Sequence, residues 1–204
     1  MDTSQTLKGN HQMRRFFMGL SAALVALTIV TAPVFAKSVV VGQKAATDTI
    51  VGIVLADDGE FDILQAAVIK AGLVDALNGT DKYTVFAPTD AAFVSTFSGL
   101  LSTSLTEQQV IDFINAGGVD TAFGNGALAG ILLYHVEPGR HFSNSVLPKK
   151  TGQAKTIDTL NGSTFTVSSS GAISTSSGGS ASIVAANIPA SNGVIHVIDA
   201  VLLP

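Results

Sequence analysis

The side chains able to do chemistry in this chain are few and widely spaced. Beyond the first 36 residues the histidines are His135, His141 and His196, and the chain has no cysteine. No two of these histidines form a His-x-x-x-His pair, and with no thiol available no zinc-type ligand set is expected. Asp57-Asp58-Gly59-Glu60 has the acidity for calcium but lacks the spaced ligand loop; it is expected to be a solvated turn joining two helices. Serines are abundant, yet Gly178-Gly-Ser180 lies in low-complexity sequence and no Gly-x-Ser-x-Gly elbow follows a strand. Neither Gly-x-Gly-x-x-Gly nor a P-loop follows a strand. General acid–base work needs a partner held at hydrogen-bond reach, and none is legible. The expectation is no catalytic residue, no metal and not an enzyme.

Three segments place the histidines and their neighbours on elements. In Tyr83-Thr-Val-Phe-Ala-Pro-Thr-Asp-Ala-Ala-Phe93, Phe86 belongs to a β-run that Pro88 stops, because proline cannot donate to a ladder. Thr89 or Asp90 then caps a helix starting at Ala91 by accepting a backbone N–H. In Asn192-Gly-Val-Ile-His-Val-Ile-Asp-Ala-Val-Leu-Leu-Pro204, Asn192-Gly193 marks a turn. The run Val194 to Leu203, apolar save His196 and Asp199, suits a central strand covered on both faces. His196 shares a face with Val194 and Ile198, and Asp199 points the other way. His196 is therefore expected to be neutral, buried and satisfied by one specific hydrogen bond. Leu132-Leu-Tyr-His-Val136 is an apolar run readable as a strand or as the end of a helix. Within it His135 is expected to be a buried ring bonded to a backbone carbonyl or a tyrosine hydroxyl.

The remaining elements follow from periodicity and punctuation. Thr47-Asp48-Thr49 can cap a helix holding Ile50, Ile53 and Val54, after a leader arm over residues 37–47. A second helix carries Phe61, Leu64, Val68 and Ala71 on one face, and Gly72 interrupts it before one more turn from Leu73 to Leu77. Ser104 and Thr106 each open a capping-box pattern, with Glu107 and Gln109 three residues on, for a helix that Gly117-Gly118 ends. The glycine-rich stretch 117–130 reads as an inserted loop. Thr156 to Leu160, Asn161-Gly162 and Ser163 to Val167 read as a hairpin with a type I′ turn. The Ser/Gly-rich stretch 168–182 reads as an exposed hairpin or loop of the same domain. Asn78-Gly-Thr80 and Asn161-Gly-Ser163 fit the glycosylation pattern but are explained as turns.

The three segments, in this order, resemble the opening box, the tyrosine–histidine motif and the closing box of the fasciclin domain. The resemblance covers residues 48–204. It implies an α+β fold in which N-terminal helices pack beside a β-sandwich or wedge of two sheets. It also implies a non-catalytic module for cell adhesion, matrix or host-surface contact, with a protein or matrix partner of unknown identity. In relatives the region around the tyrosine–histidine motif is linked to integrin binding, which points to Tyr134 and His135 here. Asn187-Ile188 resembles a short Asn/Asp-Ile element that relatives use in adhesion. Some water-soluble relatives bind carotenoids, so the alternative is a carrier of a hydrophobic small ligand; the adhesion reading itself needs no cofactor.

Charge and the N-terminus bound the setting. Arg14-Arg15 precede an apolar run from Phe16 to Ala36 that ends in Val34-Phe35-Ala36, the pattern of a cleaved signal peptide. Ser21, Thr28, Thr31 and Pro33 dilute the run as a membrane span. Met13 is an alternative start, and the arginine pair partly resembles a twin-arginine export signal. The expected mature chain, Lys37 to Pro204, has 168 residues and carries eight Lys+Arg against fourteen Asp+Glu, a net charge of −6. That balance argues against nucleic acid and anionic lipid. A single-domain, secreted or periplasmic bacterial protein, monomeric and free of the membrane after cleavage, is expected.

Overall fold

The computed structural model describes residues 48–204 apart from 57 and 58. The export segment, the leader arm and the Asp57-Asp58 pair lie outside the described residues. The chain opens with helices. Thr49 accepts the Gly52 N–H and starts α1 (Ile50–Val54). The predicted second helix is α2 (Asp62–Lys70), and the turn beyond Gly72 is α3 (Val74–Leu77). Strand β1 (Tyr83–Pro88) leads to α4 (Asp90–Leu100). Of the two capping-box candidates, Thr106 with Gln109 forms the box that starts α5 (Glu107–Asn115).

The stretch 117–130 is not a loop. It contains α6 (Gly118–Phe123) and the start of α7 (Ala127–Tyr134). Its glycines punctuate rather than loosen: Gly117, Gly124 and Gly126 sit at φ 76°, 105° and 79°, the left-handed region where a side chain would be strained. The Asp120 carboxylate then accepts the Leu128 N–H at 3.0 Å, capping α7 from eight residues upstream. Leu132 to Tyr134 is consequently helix, and the strand β2 (Val136–Pro138) begins only after His135.

A short helix α8 (Ser143–Val146) precedes the β half: β3 (Ala154–Asp158), β4 (Thr164–Ser168), β5 (Ala172–Thr175), β6 (Ser180–Ala190) and β7 (Gly193–Ile198). The β3–β4 hairpin is present, but its connection is residues 159–163 and not a two-residue type I′ turn. That turn needs positive φ at both central positions, and only Gly162 (85°) supplies it. Asn161 instead accepts the Ser163 N–H at 2.8 Å. The low-complexity stretch forms β5, the following turn and the start of β6. The closing strand ends at Ile198 rather than running to Leu203, because the chain bends at Asp199.

The strands follow the order β2-β1-β7-β6-β5-β4-β3. β1 and β7 run parallel; the other neighbours are antiparallel. The long β6 pairs with β5 at one end and β7 at the other, with register shifts between Ile183 and Ala185 and between Ala185 and Ile188. Such bulges bend a strand, so one strand serves two sheet segments. β7 is buried along its whole length. Its alternation divides the interior: Ile195 and Val197 join the core under the helices, whereas Ile198 joins a second core with Phe86, Tyr134, Phe165 and Ile173. Gly193 is obligatory here. A Cβ on it would lie 2.1 Å from the Tyr83 carbonyl oxygen, so the parallel β1–β7 approach excludes any side chain.

Candidate functional site

The motif residues converge on three junctions between elements. At the first, His135 ends α7. Its Nε2 accepts the Leu202 N–H at 2.9 Å, so Nδ1 carries the proton and donates it to the Ile131 carbonyl at 2.8 Å. The His135 carbonyl accepts the Phe86 N–H at 2.9 Å. One residue thus ties a helix, the opening strand and the C-terminal segment together. Burial pushes its pKa down to about 4. Beside it, the Tyr134 hydroxyl donates to the Thr164 carbonyl at 2.8 Å. The Tyr134 ring meets Phe165 edge-on at 5.7 Å, and Phe86 meets Phe165 likewise at 5.0 Å.

The second junction is built on His196, which is fully buried. Its Nε2–H donates to the His141 carbonyl at 3.0 Å, and its Nδ1 accepts the Asn187 N–H at 3.4 Å. Two partners hold the ring, where one was expected, and burial lowers its pKa. Asn187 sits at φ 65° on the β6 bulge. Its Oδ1 accepts the Ser143 N–H at 2.7 Å and its Nδ2 donates to the Ser143 hydroxyl at 2.8 Å. Asn187 is exposed; Ile188 is half-buried and packs on the helical core. Asp199 is exposed, and its carboxylate accepts the Ser182 N–H at 2.6 Å where β7 leaves β6.

The third junction corrects one expectation. α4 starts at Asp90, and Thr89 caps it by accepting the Ala92 N–H at 3.1 Å. Asp90 is not the cap of its own helix. Its carboxylate accepts the Ile63 N–H at 2.8 Å and the Asp62 N–H at 3.1 Å, so it caps α2. The adjacent residues of the opening box therefore start two different helices.

Some contributors carried no readable signal. Asn192 looked like a turn residue; in the fold its Oδ1 accepts the Ile50 N–H at 2.8 Å and its Nδ2 donates to Leu77 O and Gly79 O. Glu137 is buried, its Oε2 meets no hydrogen-bond donor, and His141 stands 3.9 Å from its Oε1. Burial raises its pKa, against the pull of His141 and Lys155. Asp62, Asp90 and Glu107, remote in sequence, bring carboxylate oxygens within 4.8 Å of one another. An apolar cavity of about 30 Å³, lined by Val54, Leu64, Phe86 and His135 among others, lies between α1, α2 and β1. It holds roughly one water, against the several hundred Å³ of a typical small-molecule site.

The junction geometry joins the three motifs into one scaffold, and a family model for the fasciclin domain matches residues 59–204. The chain belongs to the fasciclin domain family. It is 36% identical to Protein sll1483 of Synechocystis sp. over 82% of this chain and 81% of that protein. The immunogenic protein MPB70 of Mycobacterium bovis is 30% identical over 76% of this chain and 68% of its own. Transforming growth factor-beta-induced protein ig-h3 of Sus scrofa is 33% identical over 74% of this chain but only 19% of that protein. The fold is similar to a solved FAS1 domain pair from the insect cell adhesion molecule Fasciclin I. There the TM-score is 0.54 at 17% identity, over 78% of this chain and 51% of that one. In this fasciclin domain the motif histidines bond backbone groups that hold separate elements together. No described helix is long and apolar enough to cross a membrane.

Proposed function

We propose that this fasciclin domain is a non-catalytic contact module, exported to the periplasm or cell exterior, that works by presenting a rigid surface to a protein or matrix partner. The observation that carries the reading is the state of the motif residues. His135 and His196 are buried, held neutral by burial and engaged by backbone groups, so they serve rigidity rather than proton transfer. Support also comes from the solved neighbour, a domain pair from a cell adhesion molecule. Asn187 is exposed on the β6 bulge, and on this reading it is a motif residue that touches the partner. Tyr134 and His135, being buried, contribute by setting the surface around them.

The test is adhesion of native host cells or their matrix to the immobilised, folded chain, with heat-unfolded chain as control. Adhesion to the folded form alone is expected. Equal adhesion to both forms overturns the proposal. So does a visible absorption band in protein purified from its host, which redirects it to a carotenoid carrier.

A further inference from the structure

The face of the helical layer turned away from the core has no partner within the described residues. α2 and α5 lie side by side and run in the same direction: carboxylates at their first residues, Asp62 and Glu107, come within 4.8 Å, while at the opposite ends Lys70 Nζ donates to the Asn115 carbonyl at 2.7 Å. Each helix uses one stripe for the interior, Ile63, Leu64, Ala67 and Val68 on α2 and Val110 and Ile114 on α5. The other stripes line an open groove of about 440 Å³, with Asp62 and Glu107 at one end and, further along, Ile69 and the half-buried Ile111, which also packs on the helical core. Ile69 is 56% exposed, a large apolar side chain left in water on a well-formed helix.

We infer that the groove between α2 and α5 docks a short cationic amphipathic helix of a partner protein, its Lys or Arg seated between Asp62 and Glu107 and its apolar side chain on Ile69 and Ile111. This rests on the contact-module reading and names the surface. Charge complementarity selects the occupant. The acidic end repels phosphate-bearing ligands and leaves two carboxylates of different helices at the spacing one ammonium or guanidinium can bridge. Asp90 adds negative field behind them, with its own oxygens turned to the α2 amides. Glu107 is correspondingly harder to ionise, through burial first and then Asp90 and Asp62, and a partner cation relieves that. From Asp62 to Ile69 the groove runs roughly 10 Å, two turns of a docked helix in the helix-in-groove mode.

The experiment is fluorescence anisotropy of a labelled Lys/Leu amphipathic peptide against the purified chain, with the Glu/Leu peptide of the same pattern as control. The cationic peptide binds and the acidic one does not. Glu107→Lys and, independently, Ile69→Ser each weaken binding about tenfold in protein whose thermal midpoint shows it folded. Asp75→Lys, the same charge change at an exposed position of α3, leaves binding unaltered. An equal loss with Asp75→Lys overturns the inference, since general charge would then do the binding. Unchanged affinity in both groove variants overturns it. Calcium binding that Glu107→Lys abolishes, with no peptide binding, overturns it in favour of a metal site. Cell or matrix adhesion that survives Glu107→Lys and Ile69→Ser removes the groove as the contact surface while leaving the contact-module reading standing.

Discussion

At the scale of single residues, the two buried histidines make the domain acid-sensitive in a defined direction. His135 titrates near 6.5 when unfolded and at about 4 in the fold. Its folded-state pKa is depressed, so the unfolded chain binds the proton first. The stabilisation is whole above pH 6.5 and is lost as pH falls toward 4, on the order of 3 kcal/mol in all. His196 acts in the same direction. Glu137, whose pKa is raised, opposes them, because its protonation is favoured in the fold. Urea midpoints between pH 7 and 4 should fall, and His135→Gln should flatten the slope while lowering the neutral-pH midpoint. A midpoint independent of pH across that range would contradict the buried neutral assignment. His196→Ala should cost roughly 1–3 kcal/mol for the orphaned partner groups alone, plus the cavity, as read by denaturation. A His196→Ala protein of normal stability that had lost partner binding would instead mark the ring as a contact.

At the scale of elements, caps and close approaches decide where helices and strands begin. Thr89→Ala and Asp90→Ala should each cost about 0.5–2 kcal/mol, but at different places. Hydrogen exchange should quicken at the Ala92 amide for Thr89→Ala, and at the Asp62 and Ile63 amides for Asp90→Ala. Acceleration at Ala92 in both variants would show that the two caps act on one helix. Gly193→Ala should cost about 1–3 kcal/mol or more through overpacking, because its Cβ meets both Tyr83 O and the Ile50 side chain. Amides of β1 and β7 would report the loss by exchange. A stable Gly193→Ala protein with normal exchange would mean that the parallel pair is less tightly apposed.

At the scale of the whole molecule, the division into two cores around β7 follows from a short apolar strand whose successive side chains point to opposite faces. That much was readable in Val194 to Ile198, as were α1, α2, α5, β1 and the order of the three motifs. Protein from the native host should begin at Lys37 by mass spectrometry; a membrane-retained form that keeps Phe16 to Ala36 would contradict export. Much of what depends on residues near in sequence was legible from the sequence alone: amphipathic periods, two candidate capping boxes of which Thr106–Gln109 formed, the Asn192-Gly193 turn, and the family those segments resemble; α6 in the glycine-rich stretch and the connection at Asn161-Gly162 were not. What depends on residues distant in sequence was decided only by tertiary structure. Asp120 caps a helix eight residues ahead, Asp90 caps one that precedes it by 28 residues, and Asn192 binds an amide 142 residues away. Asp62 and Glu107 meet only because two helices pack in parallel. A side chain's type shows which bonds it can make, but the partner is set by where the packed backbone leaves an unpaired donor or acceptor.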